Sequence, residues 1–266
     1  QRSTLFPYTT LFRSTCGESL QRRAPGPTLT EPGAVANIPA PCAAGTLHMS
    51  TPTALLHVEE LELTGQRVLV RLDLEPASDG YGKAWAARLA PSLVTVQSLV
   101  EQGAKVMVAG HVVAAQVAPE GATAAAPSLE EAGARLAELT GLEIILPDDC
   151  VGDVVRKLTG DLRPKQLCLL ENLASHPGEL AADDVFAREL LELTDAYVGE
   201  APIAIGQKLA STVELPKLVQ KRAAGAGLLA ELDALQRVLT TRPKGTSAVL
   251  EAHSLDGFEE IAQRLL

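Results

Sequence analysis

Aromatic side chains are scarce in this chain: one Trp, three Tyr and four Phe among 266 residues, although 46% of the residues are hydrophobic. A core must therefore be filled by Leu, Val and Ala, which suits strands covered by Ala-rich helices. Positive charge is short as well. The formal net charge is −10, and because residues 1–48 hold four Arg and two Glu, the remainder stands at −12. That balance excludes a nucleic-acid groove and speaks against a phosphate-rich ligand unless a local basic patch exists; none is visible along the sequence. The four cysteines, Cys16, Cys42, Cys150 and Cys168, show no C-x-x-C spacing. None therefore matches a metal or redox motif, and for a domain of this size Cys150 and Cys168 are expected as buried thiols in a reducing compartment in preference to a disulfide framework. No apolar run reaches the ~18 uncharged residues of a membrane-spanning helix, so a cytoplasmic protein with no membrane partner is expected.

Several chemical signatures are missing too. The chain has no G-x-x-x-x-G-K-[ST], no G-x-G-x-x-G after a strand, no H-E-x-x-H and no G-x-S-x-G. Gly225-Ala226-Gly227 lies in a stretch that reads as helix, and is expected as a packing or kink site, not a phosphate cradle. Asp148-Asp149 and Asp183-Asp184 precede expected helices, where acids complement the positive N-terminal dipole. Capping is the plainer reading of both pairs, and no metal site is expected.

What is present begins at residue 49. Residues 1–48 read as a disordered, non-native leader. Within 1–16, which lacks acids, Thr4-Leu5-Phe6 recurs as Thr10-Leu11-Phe12, in the manner of a translated sequencing adaptor. The competing reading is an organelle transit peptide, from Arg2, Arg13, Ser3 and Ser14. Pro25, Pro27, Pro32, Pro39 and Pro41 mark the rest as linker-like, and Met49 is the expected start.

From Leu61 onward short Val- and Leu-rich runs alternate with longer amphipathic stretches, the pattern of βαβ units and a parallel sheet. Strands are expected at 67–73, 105–109, 142–146, 166–170 and 197–198. Helices are expected over 89–100 before Gly103, from Ser128 (with Glu131 at capping-box spacing) to about Leu139, and over 151–158 and 184–193. A long helix is expected over 215–239, broken or kinked near Gly225 and Gly227 and ended by Arg242-Pro243. A strand at 247–250 and a helix capped by Asp256 follow. The predicted fold is α/β, a three-layer doubly wound parallel sheet. Its domains are an α/β domain over 49–214, a connecting helix over 215–245 and the first strand and helix of a second domain over 246–266.

Certain segments resemble one family. Leu170-Glu171-Asn172-Leu173-Ala174-Ser175-His176 is similar to LLENLRFH of the phosphoglycerate kinases. Ala196-Tyr197-Val198-Gly199-Glu200-Ala201, closing with Ala210-Ser211-Thr212, is similar to that family's VNDAFGTAHRAHAST. Arg71-Leu72-Asp73-Leu74-Glu75 resembles RVDFN, and Gly110-His111-Val112-Val113-Ala114 resembles SHLGR. The resemblance runs from Leu61 to about Leu266. It implies the fold of a phosphoglycerate kinase amino-terminal domain, with most of the nucleotide domain absent. It also implies a substrate site at Asp73, Glu75, Arg88 and His111, and a 3-phosphoglycerate-like small molecule as partner.

The departures fall on the cations. Positions resembling the family's arginines hold Trp85, Ala114, Ala174 and Gln207; Arg88 lies one helical turn, about 5.4 Å along the axis, from its counterpart, and Lys208 is the cation nearest Gln207. Glu75 puts a carboxylate where the family has an amide. His111 alone carries little, because a strand-end histidine is more often a satisfied structural residue. Where the family has LGGAKVSDK, Leu250 is followed by Glu251-Ala252-His253-Ser254. The leading expectation is therefore a catalytically degenerate phosphoglycerate-kinase-like protein, a pseudoenzyme or fragment, with no cofactor assigned. The alternatives are an active or truncated phosphoglycerate kinase using MgATP or MgADP, and an α/β interaction module whose partner covers a cleft lined by Trp85, Val113, Pro202, Ile203 and Ile205. A monomer is expected.

Overall fold

Strand β1 (Arg67–Leu72) is buried at every residue after Arg67, which is why it sits inside the sheet. In the computed structural model, which describes residues 56–113 and 127–241, six parallel strands run in the order β3-β4-β2-β1-β5-β6. The others are β2 (Lys105–Ala109), β3 (Glu143–Ile145), β4 (Gln166–Leu169), β5 (Ala196–Glu200) and β6 (Lys221–Ala224). Successive side chains of a strand point to opposite faces, and here both faces are apolar. Val68, Val70, Val106, Val108, Leu167, Leu169 and Val198 enter one core; Leu69, Met107, Cys168 and Tyr197 enter the other.

Helices cover each face. Helix α1 (Lys83–Glu101) places Trp85, Leu89, Leu93, Val96 and Leu99, and α2 (Glu130–Thr140) places Ala132 and Leu136, on the first core. On the second lie Val155 of α3 (Asp153–Gly160), Phe186, Ala187, Leu190 and Leu193 of α5 (Asp184–Leu193) and Leu215 of α6 (Leu215–Leu218). A short α4 (Pro177–Leu180) precedes α5, and α7 (Ala226–Thr241) packs beside α1. This is the α/β doubly wound sheet expected from the sequence. Gly103, at φ +83°, lets the chain turn out of α1 into β2. Asp183 caps α5 by accepting from the Val185 N–H at 2.9 Å, as expected, and Cys150 and Cys168 are buried free thiols.

The expectation for residues 215–239 fails. The long helix over 215–239 is three elements: α6, then β6, then α7. Lys221-Arg222-Ala223-Ala224 has good helix formers and no apolar periodicity, but pairing with Ala196–Gly199 of β5 draws it into the sheet. Ser128 also departs from a simple cap: its Oγ accepts from the Glu130 N–H at 3.3 Å and donates to Glu171 at 2.9 Å. The expected leader 1–48, Ala114, and the strand and helix within 246–266 lie outside the described residues.

Gly225-Ala226-Gly227 consequently opens α7, and an internal carboxylate fills that opening. Glu200, buried at the end of β5, accepts from the N–H groups of Gly227 at 3.1 Å and Leu228 at 2.9 Å. Thr95 of α1 donates its hydroxyl to Glu200 and accepts from the Ala226 N–H at 3.0 Å. An anion there complements the helix dipole and satisfies free amides. A Cβ on Gly225 would fall inside the van der Waals shell of Glu200 Oε1, and one on Gly227 would lie 2.7 Å from Oε2. Gly225→Val is therefore expected to lower unfolding free energy by about 2–4 kcal/mol, because it displaces a buried carboxylate from its donors. Gly206→Ala, where a Cβ meets nothing within 4 Å, should stay within about 0.5 kcal/mol of the parent when both variants are unfolded in urea.

Candidate functional site

The chain runs from β1 to β2, out to the edge strand β3 and back to β4, then crosses to the opposite side of β1 as β5. Ligands of open parallel sheets bind in the crevice outside the strands' carboxyl ends, where the order reverses. Asp73 and Glu75 follow β1 at this point, and His111 follows β2.

Asp73 is tied to the far side of the crevice. Its two carboxylate oxygens accept from the Ile203 N–H at 2.7 Å and the Ala204 N–H at 3.1 Å, beyond β5. Burial pushes its carboxyl above the usual range, against the two amides and the charges of Arg71 and Arg88, which pull it down.

Arg71 anchors the floor. It is the one charged residue within the buried run of β1. Its Nε donates to Ser211 Oγ at 2.8 Å, and its terminal nitrogens reach the Leu72 carbonyl, His111 Nδ1 and, at 3.9 Å, Glu179 Oε1. Ser211 in turn donates from its hydroxyl (2.5 Å) and N–H (3.0 Å) to Glu179. Because Arg71 donates to Nδ1, the His111 proton belongs on Nε2, which faces Glu75 Oε1 at 3.4 Å. Burial, with Arg71 beside it, holds the imidazole down at about 4, opposed by a hydrogen bond with Gln207. His111 is thus a neutral, satisfied histidine.

Glu75 is 5% exposed. Burial, then the neighbouring Asp73 charge, raises its carboxyl, while Arg71 and Arg88 oppose the shift. Arg88, half-buried on α1, donates a terminal N–H to the Glu75 backbone carbonyl. The structure therefore brings Asp73, Glu75, Arg88 and His111 together, with Gln207 against His111. It does not bring Trp85 into the cleft: Trp85 is fully buried in the first core, edge-on to Tyr81 at 5.1 Å between ring centroids. Ala174 donates its N–H to Asn172 Oδ1 at 3.0 Å within a short 3-10 turn.

The best-kept motif, Glu171-Asn172, is a clamp. Asn172 accepts from the Val112 N–H and donates to the Val112 and Pro127 carbonyls, all within 2.9 Å. Glu171 accepts from the Leu129 and Asn172 N–H groups. Together they tie the strand ends to the start of α2. Sequence reasoning missed Arg71, Glu179 and Ser211 as parts of the site. A charge inside Val68-Leu69-Val70-Arg71-Leu72 was the available signal for the first and membership of the Ala210-Ser211-Thr212 segment for Ser211; no local pattern marks Glu179. Among the described residues no group of three or more His, Cys, Asp or Glu is placed to hold a metal ion.

A doubly wound parallel sheet with polar side chains converging at its switch point defines a class of ligand-binding α/β domain. Comparison with known proteins narrows it. The family model for phosphoglycerate kinase matches residues 58–254. A phosphoglycerate kinase of Anaeromyxobacter dehalogenans (strain 2CP-C) is 35% identical over 214 residues, covering 80% of this chain and 54% of that protein. One from Parafrankia sp. (strain EAN1pec) is 39% identical over 205 residues, covering 73% and 50%. The solved phosphoglycerate kinase of Coxiella burnetii superposes with a TM-score of 0.60 at 25% identity, over 79% of this chain and 51% of that one. That of Pyrococcus horikoshii OT3 shares the fold with a TM-score of 0.63 at 21% identity, over 79% and 53%. The chain belongs to the phosphoglycerate kinase family, a family of kinases, and spans about half the length of the curated relatives it matches.

Two expected outcomes test this description of the site. An imidazole held at about 4 when folded and near ~6.5 when unfolded contributes stability that is complete above pH ~6.5 and lost as pH falls toward 4. From pH 7 to 5 the protein should lose about 2 kcal/mol through His111. The raised carboxyls of Asp73 and Glu75 act in the opposite sense, gaining stability as they protonate in the fold. His111→Asn should flatten the acid side of a stability profile measured by urea unfolding. Asn172→Ala leaves the Val112 and Pro127 main-chain groups unpaired, and calorimetric melting should show a loss of about 2–3 kcal/mol.

Proposed function

We propose that this chain is a phosphoglycerate-kinase-type half-site that no longer grips phosphate: a catalytically degenerate member of its family, acting in binding or regulation. One observation carries the reading. The two guanidinium groups at the mouth are turned inward, Arg71 onto Ser211, Leu72, His111 and Glu179, and Arg88 onto the Glu75 carbonyl. At the other positions where the resemblance expects arginine stand Trp85, Ala114, Ala174 and Gln207. An arginine fork grips phosphate oxygens with parallel charge-assisted hydrogen bonds, which alanine and glutamine cannot reproduce. At ~1.5–3 kcal/mol for each such bond, losing several removes many powers of ten in affinity or rate. Glu75 adds a carboxylate against a polyanion.

A second reading is an active phosphoglycerate kinase, transferring a phosphoryl group between 1,3-bisphosphoglycerate and ADP with magnesium, in glycolysis. Arg88 favours it, since it reaches Glu75 despite its displacement along α1. The docking-module reading is favoured only by Ile203 and Ile205, 44% and 55% exposed. A coupled assay of the purified chain with 3-phosphoglycerate and MgATP separates the first two: the degenerate site should give the rate of a buffer control, and turnover well above it rejects that reading.

A further inference from the structure

Asp73 and His111 are 4% and 2% exposed, although they stand at strand ends, where ligands of open parallel sheets are met. The chain itself helps to cover them, with the segment that follows β5. Both Asp73 oxygens are filled by amides of that segment, Ile203 at 2.7 Å and Ala204 at 3.1 Å. His111 is hydrogen-bonded to its Gln207. The carboxylate that the resemblance puts in the substrate site is thus serving the protein's own backbone.

This segment has firm ends and a light hold in the middle. Before it, Glu200 accepts from the Gly227 and Leu228 amides; after it, Ser211 is held by Arg71 and Glu179. Between these points it bonds to itself. The Ile205 N–H donates to the Ala201 carbonyl at 3.0 Å and the Gln207 N–H to the Ala204 carbonyl at 2.9 Å, and the Gln207 carbonyl accepts from the Thr212 hydroxyl at 2.8 Å. Of residues 202–208 only Ala204 is buried, in a small apolar cluster with Ala201 and Leu209. Ile203 and Ile205 are exposed. Segments with so little buried apolar surface open at a lower free energy than the domain unfolds.

We infer that residues 202–208 form a strap that closes the crevice over Asp73 and His111, and that it lifts while the sheet stays folded. Asp73 is the latch and Gln207 a second hold. The contact is autoinhibitory: access to the strand ends is set by two backbone amides of the same chain. The inference concerns access alone and stands with either reading of the activity.

Amide exchange of the full chain in low urea, followed by NMR, tests it. The Ile203 and Ala204 amides should exchange about a hundredfold faster than those of Val70 and Val198, with a shallow dependence on urea that marks local opening. A urea dependence as steep as that of Val70 overturns the inference, whether or not any variant folds. Asp73→Asn leaves one acceptor oxygen for two amides and should speed their exchange about tenfold; folded Asp73→Asn with unchanged exchange also overturns it. Ala204→Asp sets a carboxylate against Asp73 and should hold the strap open while the amides of β1 and β5 stay protected. The ring protons of His111 should then be broadened by a soluble nitroxide that leaves them sharp in the parent. If they stay equally sharp in folded Ala204→Asp, the segment does not close the crevice and the inference falls.

Discussion

A guanidinium in the middle of a parallel sheet governs this molecule. Arg71 sits on a central strand, on a face otherwise built of Leu69, Met107 and Tyr197, where an unpaired charge is untenable. Its partners must come to it. Glu179 arrives from α4, Ser211 from the π-helical turn over Ala210–Glu214, and His111 from the end of β2. Two irregular segments and one strand end are thus positioned by a single side chain. The same bonds occupy the donors of that cation at the floor of the crevice.

Carboxylates play the complementary part. In a chain of net charge −10, Asp73, Glu171, Glu179 and Glu200 each accept from main-chain N–H groups distant in sequence. Each stitches one strand end or helix start to another. The acidity that argues against an anionic ligand is, at these positions, a means of satisfying backbone donors that regular secondary structure leaves free. Glu75 differs, because one of its oxygens has no such donor.

The sheet was legible because its strands are apolar on both faces, and a run such as Val106-Met107-Val108-Ala109 has few other uses. Strand β6 was not: Lys221-Arg222-Ala223-Ala224 acquires its conformation from β5, a long-range pairing that local propensity does not encode. Asp73, Glu75 and His111 were named from the resemblance alone; that they lie close together follows from the convergence of strand ends in this topology. Glu179 was invisible, and Ser211 stood in a quoted motif without a role, since what makes them partners is an arginine more than a hundred residues away. Trp85 was placed in the cleft by counting along a motif, but a residue of that volume on the inner face of α1 belongs to the core.

The borders of the sheet carry a further implication. Strand β3 has three residues and begins with exposed Glu143; β6 has four and begins with exposed Lys221 and Arg222. The Ala224 N–H of β6 is already taken by the Leu56 carbonyl at 2.9 Å. Short, charged margins offer a poor template for another chain's strand. Among the described residues, both margins of the six-stranded layer are therefore poorly suited to lateral growth.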